Sequence, residues 1–478
     1  MSANDICFLT IEQFGLRLRN GEISSVELVD AFIDRYRRIG HVTNCYIEFV
    51  DDRARLQASA LDSLLNLGID LGPLHGVPIA IKDNIDTSGI PTTSGSPIDK
   101  DRVPSQDSTV VRRLHAAGAV VLGKANMYEW AFGSPSSLFG DVANPWDLTR
   151  TAGASSSGSA AAVAAGLATA AIGTDLGGSI RIPASMCGVF GLKPTYGLVS
   201  RFGVRPLGQT LDHVGPITRT AKDAQIVLDA IRGPDPLDAV SQNHPAILGS
   251  AAGKDLRGVV VGVAVPQLGH EVSADVALIL EQVVEVFEQL GCPIVEVHLP
   301  SLDDARSAMW TISAVEGAEF HLPMMRETLD QYPDKTRRLL LGGALTSGLQ
   351  YVRAQRVRQK MCMDLDDLFE RVSIILTPVL RSAAWKAASS TSHEEDDSMT
   401  EMTHFTPLFN LTGHPAASFV GGFTDAGLPV GVQIASALYG EATLIALAAE
   451  YENVTGHAGR RPEVNTDQYP GSTADHGA

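Results

Sequence analysis

The chain has 478 residues, 44% hydrophobic and 19% charged, which is ordinary for a folded protein and enough for a large buried core; disorder over most of its length is excluded. Its 37 basic and 55 acidic residues leave a net charge of −18, and no run of Lys or Arg could neutralise a phosphate backbone, so nucleic acid is not expected as a direct partner. The opening "MSANDICFLTIEQFG" has no basic segment followed by an apolar core, and no window approaches eighteen uninterrupted apolar residues, so a cytoplasmic chain with no membrane partner is expected.

In chain order, Ser24 with Glu27 three positions on forms a capping box, and the stripe Val29, Phe32, Ile33 and Tyr36 then predicts a helix over 24–38. "GVPIAIKDN" (76–84) is a short apolar run ending in charge. "DSTVVRRLHAAG" followed by "AVVLG" (107–123) predicts helix then strand. Further on, "RGVVVGVAVP", a helix with Val276, Leu280, Val283, Phe287 and Leu290 on one face, and "CPIVEVHL" make a strand–helix–strand unit across 257–299. Such alternation predicts an α/β fold with helices covering a largely buried sheet. Residues 232–258, rich in Pro, Gly and Asp, predict a linker; 389–402 is an acidic insertion, and 466–478 is expected to be a flexible tail. Five scattered cysteines (Cys7, Cys45, Cys187, Cys292, Cys362) show no zinc spacing and read as reduced core residues; no metal or cofactor is implied.

The stretch "TAGASSSGSAAAVAAGLATAAIGTDLGGSIR" (151–181) concentrates serines and glycines ahead of an apolar, small-residue helix and a strand ending near Thr174. A flexible linker would not lead into so apolar a segment. Neither GxxxxGK[ST] nor GxGxxG is present, and Ser179 is not in a GxSxG elbow because Arg181 stands two residues beyond it. What remains is a set of serines held in an ordered, glycine-shaped turn.

"GASSSGSAAAVAAG" followed by "GTDLGGSIRIPASMCGVFGLKPTYG" resembles the amidase signature family of serine hydrolases. The likeness extends upstream to "LHGVPIAIKDNID" and "TTSGS", through "ANPWDL", and on to "LDHVGPITRTAKDA", "ILTPV" and "NLTGHPAAS". It implies a large mixed β-sheet between layers of helices, as a single catalytic domain over 1–465 with its signature region at about 70–230. It also implies Ser179 as nucleophile, Ser155 as a bridging serine in a cis peptide, and Lys82 as base. The backbone amides of Leu176, Gly177, Gly178 and Ser179 would form the oxyanion hole. Ala154 and Ser157 replace two glycines of the family's usual "GGSSGGS" turn, and neither change removes a catalytic group.

The chemistry needs these residue types. Ser179 must lose a proton as it attacks an amide carbonyl, and the departing amine must gain one. Lys82 serves both steps only if it starts neutral, and burial at the end of "VPIAI" would depress its pKa. Ser156 is expected to orient Ser155 or cap the following helix, and Asp175 and Arg181 to brace the glycine turn. His213 in "LDHVGP" is the most tempting partner for a Ser-His-Asp triad, but dispersed histidines without a motif are assigned no catalytic role.

For the substrate, Tyr128, Trp130, Phe132, Trp310 and Trp385 are the aromatic candidates for an apolar pocket wall. The resemblance includes glutamine-hydrolysing A subunits of tRNA-dependent amidotransferases, which hold glutamine's charged end with an Arg and an acid. Arg358 matches the former, whereas Thr403 stands at the place of the acid, with Glu401 nearby. The favoured reading is therefore a stand-alone amidase, monomer or homodimer, acting on small neutral amides such as aryl amides, with carbamates (urethanes) or urea-like compounds as variants. The alternative is the amidotransferase subunit, and residues 389–404 are a candidate mobile loop at the site.

Overall fold

The computed structural model describes residues 3–241, 255–264, 271–387 and 402–464. Eleven strands form one sheet in the order β1-β3-β2-β6-β8-β7-β12-β13-β11-β9-β10. They are β1 (Tyr46–Phe49), β2 (Pro78–Lys82), β3 (Val120–Ala125), β6 (Ala170–Asp175), β7 (Phe190–Lys193), β8 (His213–Thr218), β9 (Val261–Val263), β10 (Ile294–Glu296), β11 (Ile374–Pro378), β12 (Ala416–Phe423) and β13 (Pro429–Ser436). The intervening β4 (Ala143–Asn144) and β5 (Asp147–Thr151) form a separate hairpin. The sheet is mixed: β2 runs parallel to β3 and β6, whereas β6, β8, β7, β12 and β13 pair antiparallel in sequence along the sheet. Beyond them, β11 pairs antiparallel with β13 and parallel with β9, and β9 parallel with β10.

Why these residues make these elements is local chemistry for the most part. The capping box at Ser24 and Glu27 forms and starts the helix Ser25–Thr43, which ends at Asn44 in the left-handed conformation. Ser108 caps Thr109–Ala116, and β3 follows directly. The strands β2, β3, β6, β7, β8, β11 and β13 are buried at every position, which is why they read as continuous apolar runs rather than alternating ones. The unit at 257–299 appears as β9, helix Ala274–Gln289 and β10, with β10 in parallel register on β9 (Ile294 beside Val261).

The segment expected as a linker is tied down at its start. Asp235 accepts from the hydroxyls of Thr109 and Ser200, each at 2.5 Å, and Asp238 pairs with Arg201 at 3.1 Å. Its aspartates read as solvated residues in sequence, but their carboxylates are acceptors for groups that arrive from distant parts of the chain. Residues 242–254 of that segment, the acidic insertion from 389 to 401 including Glu401, and the tail 466–478 lie outside the described residues. The five cysteines carry free thiols, four of them buried and Cys362 half-buried. Among the described residues no helix is long and apolar enough to cross a membrane, and no group of three or more His, Cys, Asp or Glu could hold a metal ion.

At the centre of the sheet, β8 passes so close to β7 that a Cβ on Gly215 would lie 2.1 Å from the Leu192 carbonyl oxygen. Gly215→Ala should therefore destabilise the protein by about 2–3 kcal/mol through overpacking against backbone that cannot yield. A lower denaturant midpoint at unchanged slope is the expected result.

Candidate active site

Lys82 is the last residue of β2, and the four apolar residues before it carry its side chain into the interior, where it is fully buried. Its Nζ donates to Ser155 Oγ at 2.8 Å and to Thr174 Oγ1 at 2.7 Å. Burial pushes its pKa down to about 7, against the opposing pull of the Asp175 and Asp212 carboxylates. Burial thus favours the uncharged amine, the form a general base requires.

Ser155 lies on the turn between β5 and the helix Ser157–Ala164, preceded by a cis Ala154–Ser155 peptide. Ser156 stands at the N-cap position of that helix yet makes no side-chain cap hydrogen bond. Its hydroxyl instead donates to the Thr174 carbonyl at 3.1 Å and accepts from the Thr174 N–H at 3.3 Å, while its own N–H donates to the Ser179 carbonyl. The capping expectation gives way because the helix start abuts the buried end of β6, whose peptide groups have no water to turn to. Ser156 thus ties the two serine turns together.

Asp175 closes β6 and organises the second turn. Its Oδ1 accepts from the Gly178 N–H (2.8 Å), Asn410 Nδ2 (2.7 Å) and Arg181 Nη2 (2.9 Å); its Oδ2 accepts from the Ile180 N–H (3.1 Å) and Arg181 Nε (3.0 Å). Burial alone would raise this carboxyl's pKa, but the Arg181 guanidinium and the converging donors hold it well below the usual range. Arg181, also fully buried, reaches on to Gln433 Oε1 (2.6 Å), Asn410 Oδ1 (2.5 Å) and the Thr406 carbonyl (3.0 Å). Gly178 has φ +126°, and a Cβ there would lie 2.4 Å from Thr406 Oγ1, so only glycine fits.

One consequence corrects the expected oxyanion hole. The Gly178 amide is committed to Asp175, so it is not available to a substrate; the amides of Leu176, Gly177 and Ser179 make no hydrogen bond among the described residues. Ser179 itself is half-buried and opens on a small cavity. Among the described residues its hydroxyl makes no hydrogen bond to Ser155. Among the described residues the walls are Ala131, Ala154, Leu176, Ile182, Leu207, Trp310 and Met402, with Thr403 as a polar side chain, and none of these is charged.

Of the five aromatic wall candidates, Trp310 alone lines this cavity. Trp130 and Phe132 are buried in the main core, their rings 4.7 and 6.3 Å from that of His321. The reason is backbone conformation: Trp130 and Ala131 both have positive φ (55° and 61°), and it is Ala131 that faces the cavity. Tyr128 is buried behind it in a separate apolar cluster with Met186 and Val379, against which the half-buried Trp385 packs. His213 is buried on β8 with its Nδ1 against the Leu211 carbonyl, and burial pushes its pKa well below the usual value. Arg358 Nη2 donates to the Thr210 carbonyl.

Several contributors escaped the sequence. Thr174 holds Lys82 from the far side of Ser155, and Asn84 Nδ2 reaches the same hydroxyl at 3.3 Å. Asp83 accepts from the Thr93 N–H and hydroxyl and from the Gly95 N–H, which explains why "KDN" and "TTSGS" occur together. The buried Lys124 stands 3.8 Å from Asp83 and donates to Thr92 Oγ1. Spacing along the chain carries no signal for such contacts, which join separate strands and loops.

Comparison with known proteins gives the family to which the chain is similar. A model of the family described as amidase matches residues 27–445. The A subunit of glutamyl-tRNA(Gln) amidotransferase from Moorella thermoacetica is 38% identical, over 96% of this chain and 99% of that one. Among solved structures, a bacterial aryl acylamidase of the amidase signature family superposes with TM-score 0.85 at 27% identity, covering 94% of this chain and 97% of its own. The A subunit of the same amidotransferase from Thermotoga maritima gives TM-score 0.79 at 31% identity, covering 97% and 98%.

Arg181→Met would leave Asp175 as an uncompensated buried charge, and a loss of about 3–5 kcal/mol of stability is expected. Denaturant unfolding checks it, and pairing the change with Asp175→Asn should recover part of the loss.

Proposed function

The chain belongs to the amidase signature family, an enzyme family acting on carbon–nitrogen bonds, and from that premise we propose a stand-alone amidase that cleaves small neutral amides through a serine acyl-enzyme. The observation that carries the substrate reading is the cavity at Ser179, whose walls among the described residues are apolar apart from Thr403. An amide with an aryl or alkyl body satisfies such walls; a charged α-carbon does not, because an ion without a partner loses its hydration there.

In this mechanism Ser179 Oγ attacks the carbonyl carbon while its proton passes through the Ser155 hydroxyl to neutral Lys82. The oxyanion accepts from the amides of Leu176, Gly177 and Ser179. Lys82 returns the proton through Ser155 to the leaving nitrogen, the C–N bond breaks, and water then releases the acyl group by the same route. Ser155 Oγ is held by Lys82 at 2.8 Å, and its hydroxyl can accept and donate in turn. Carbamates and urea-like compounds present the same carbonyl and fall within the proposal.

A second reading rests on the relatives named as the A subunit of the amidotransferase, with identity near 38% along almost the whole chain. Against it stand Thr403 in the cavity wall at the place expected for the acid, and Arg358 bound to the Thr210 carbonyl. Loss of one charge-assisted contact is worth roughly 1.5–3 kcal/mol, or about 10- to 150-fold in kcat/KM.

Product assays over glutamine, aliphatic amides, anilides and aryl carbamates should therefore show the purified chain, alone, cleaving the neutral compounds at least tenfold better than glutamine. Ser179→Ala should abolish all of this turnover with the fold intact. Glutaminase activity that appears only with a partner protein and tRNA would establish the second reading instead.

Neutral Lys82 is the active form, so the rate should fall as pH drops through about 7, roughly tenfold per unit below it. A kcat/KM profile flat down to acid pH would exclude Lys82 as the base.

A further inference from the structure

Successive side chains of a strand point to opposite faces, and the last two of β6 accordingly serve different sites. Asp175 organises the turn that carries Ser179, whereas the buried Thr174 hydroxyl meets Lys82 Nζ at 2.7 Å. β2 runs parallel to β6 with Ile81 beside Ile172, which sets Thr174 just past the end of β2, where the lysine side chain reaches it. The Thr174 N–H and carbonyl are both engaged by Ser156, so the hydroxyl is the part of this residue directed at the base. A β-branched side chain has little freedom at χ1, which keeps that oxygen in place.

Asn84 decides what the oxygen does. Its Nδ2 reaches Thr174 Oγ1 at 3.3 Å and the Arg205 carbonyl at 3.5 Å; a carbonyl only accepts, so the amide turns its nitrogen that way and meets Thr174 as a donor. Thr174 Oγ1 is left with a second lone pair, and Lys82 lies against it. Among the described residues Lys82 Nζ makes two hydrogen bonds, to Ser155 and to Thr174. The carboxylates that act on it without touching it are Asp175 on β6 and Asp212 ahead of β8, while Lys124 on β3 faces Asp83.

We infer, on the serine–lysine mechanism proposed above, that Thr174 is a positioning residue for the base: its hydroxyl, held by Asn84, accepts from the ammonium that forms on Lys82 when the Ser179 proton arrives through Ser155. The leaving nitrogen then takes that proton back, and Lys82 is an amine again. A hydrogen bond to the charged form is roughly twice as strong as one to the neutral form. The hydroxyl thus works against the burial that pushes Lys82 down to about 7. A carboxylate in its place would keep the lysine charged and unable to start; an apolar group would leave too weak a base.

The test follows, against pH, the sulfonylation of Ser179 in the full chain by phenylmethanesulfonyl fluoride, located by mass spectrometry. The serine oxygen bonds to sulfur, fluoride leaves, and the proton goes to Lys82. No amide enters this readout, so an error in the proposed substrate class leaves it intact. Thr174→Val keeps the shape and removes the acceptor: the alkaline plateau should fall about tenfold and the acid limb should move down by about one pH unit, so that the profile meets the native one in acid. Thr174→Ala should move the limb the same way, and a failure of one variant to fold leaves the other. Thr174→Ser restores the hydroxyl and should return the limb to its native position. An acid limb that stays in place in the valine and alanine chains, or that is displaced equally in the serine chain, would overturn the inference and leave the mechanism standing. A native chain in which Ser179 is not labelled would overturn the mechanism, and this inference with it.

Discussion

Asp175 and Arg181, both fully buried and 2.9 Å apart, hold together everything that the chemistry requires. The carboxylate gathers the amides of Gly178 and Ile180, so the backbone must coil around it, and this coil is what turns Ser179 toward the cavity. The guanidinium carries the constraint outward to Asn410, Gln433 and Thr406, residues more than two hundred positions later. A buried ion pair of this sort is weak evidence for net stability, because two desolvation penalties oppose the attraction. Its value lies in specifying one geometry, since every oxygen and N–H has a single place to go.

Lys82 is governed by the opposite arrangement. It has no carboxylate in contact; its two partners are hydroxyls, of Ser155 and Thr174. Lys124, on the neighbouring strand and equally buried, stands near Asp83, and its pKa is pushed down less far, to about 8. Two lysines at the ends of adjacent strands are thus differentiated by what faces them. Without a counter-ion at contact distance, the burial that lowers the Lys82 pKa is less opposed than at Lys124.

The cavity at Ser179 follows from a third constraint, on the backbone. Consecutive positive φ values at Trp130 and Ala131 turn the large rings into the core and leave a methyl group at the wall. Trp310 then supplies the aromatic surface from the helix Leu302–Thr328, far along the chain. The cavity wall is consequently shared between the signature region and the C-terminal half, the latter supplying Trp310, Met402 and Thr403.

The amino-acid sequence alone determined the α/β alternation, the buried strands and the capped helices, and it marked Lys82, Ser155 and Ser179 as candidates, because each depends on local periodicity or on a long contiguous motif. It also pointed to Asp175 and Arg181, whose spacing of six closes one turn. What it left undecided depends on where separate segments meet. The Gly178 amide is taken by a side chain three residues earlier, and Trp130 and Phe132 pack in the core beside His321 and Tyr332. Asp235 and Asp238 become anchors rather than linker residues because Thr109, Ser200 and Arg201 come to them. Composition reports how polar a residue is, and only the tertiary structure decides whether its polarity faces water or a partner brought from elsewhere in the chain.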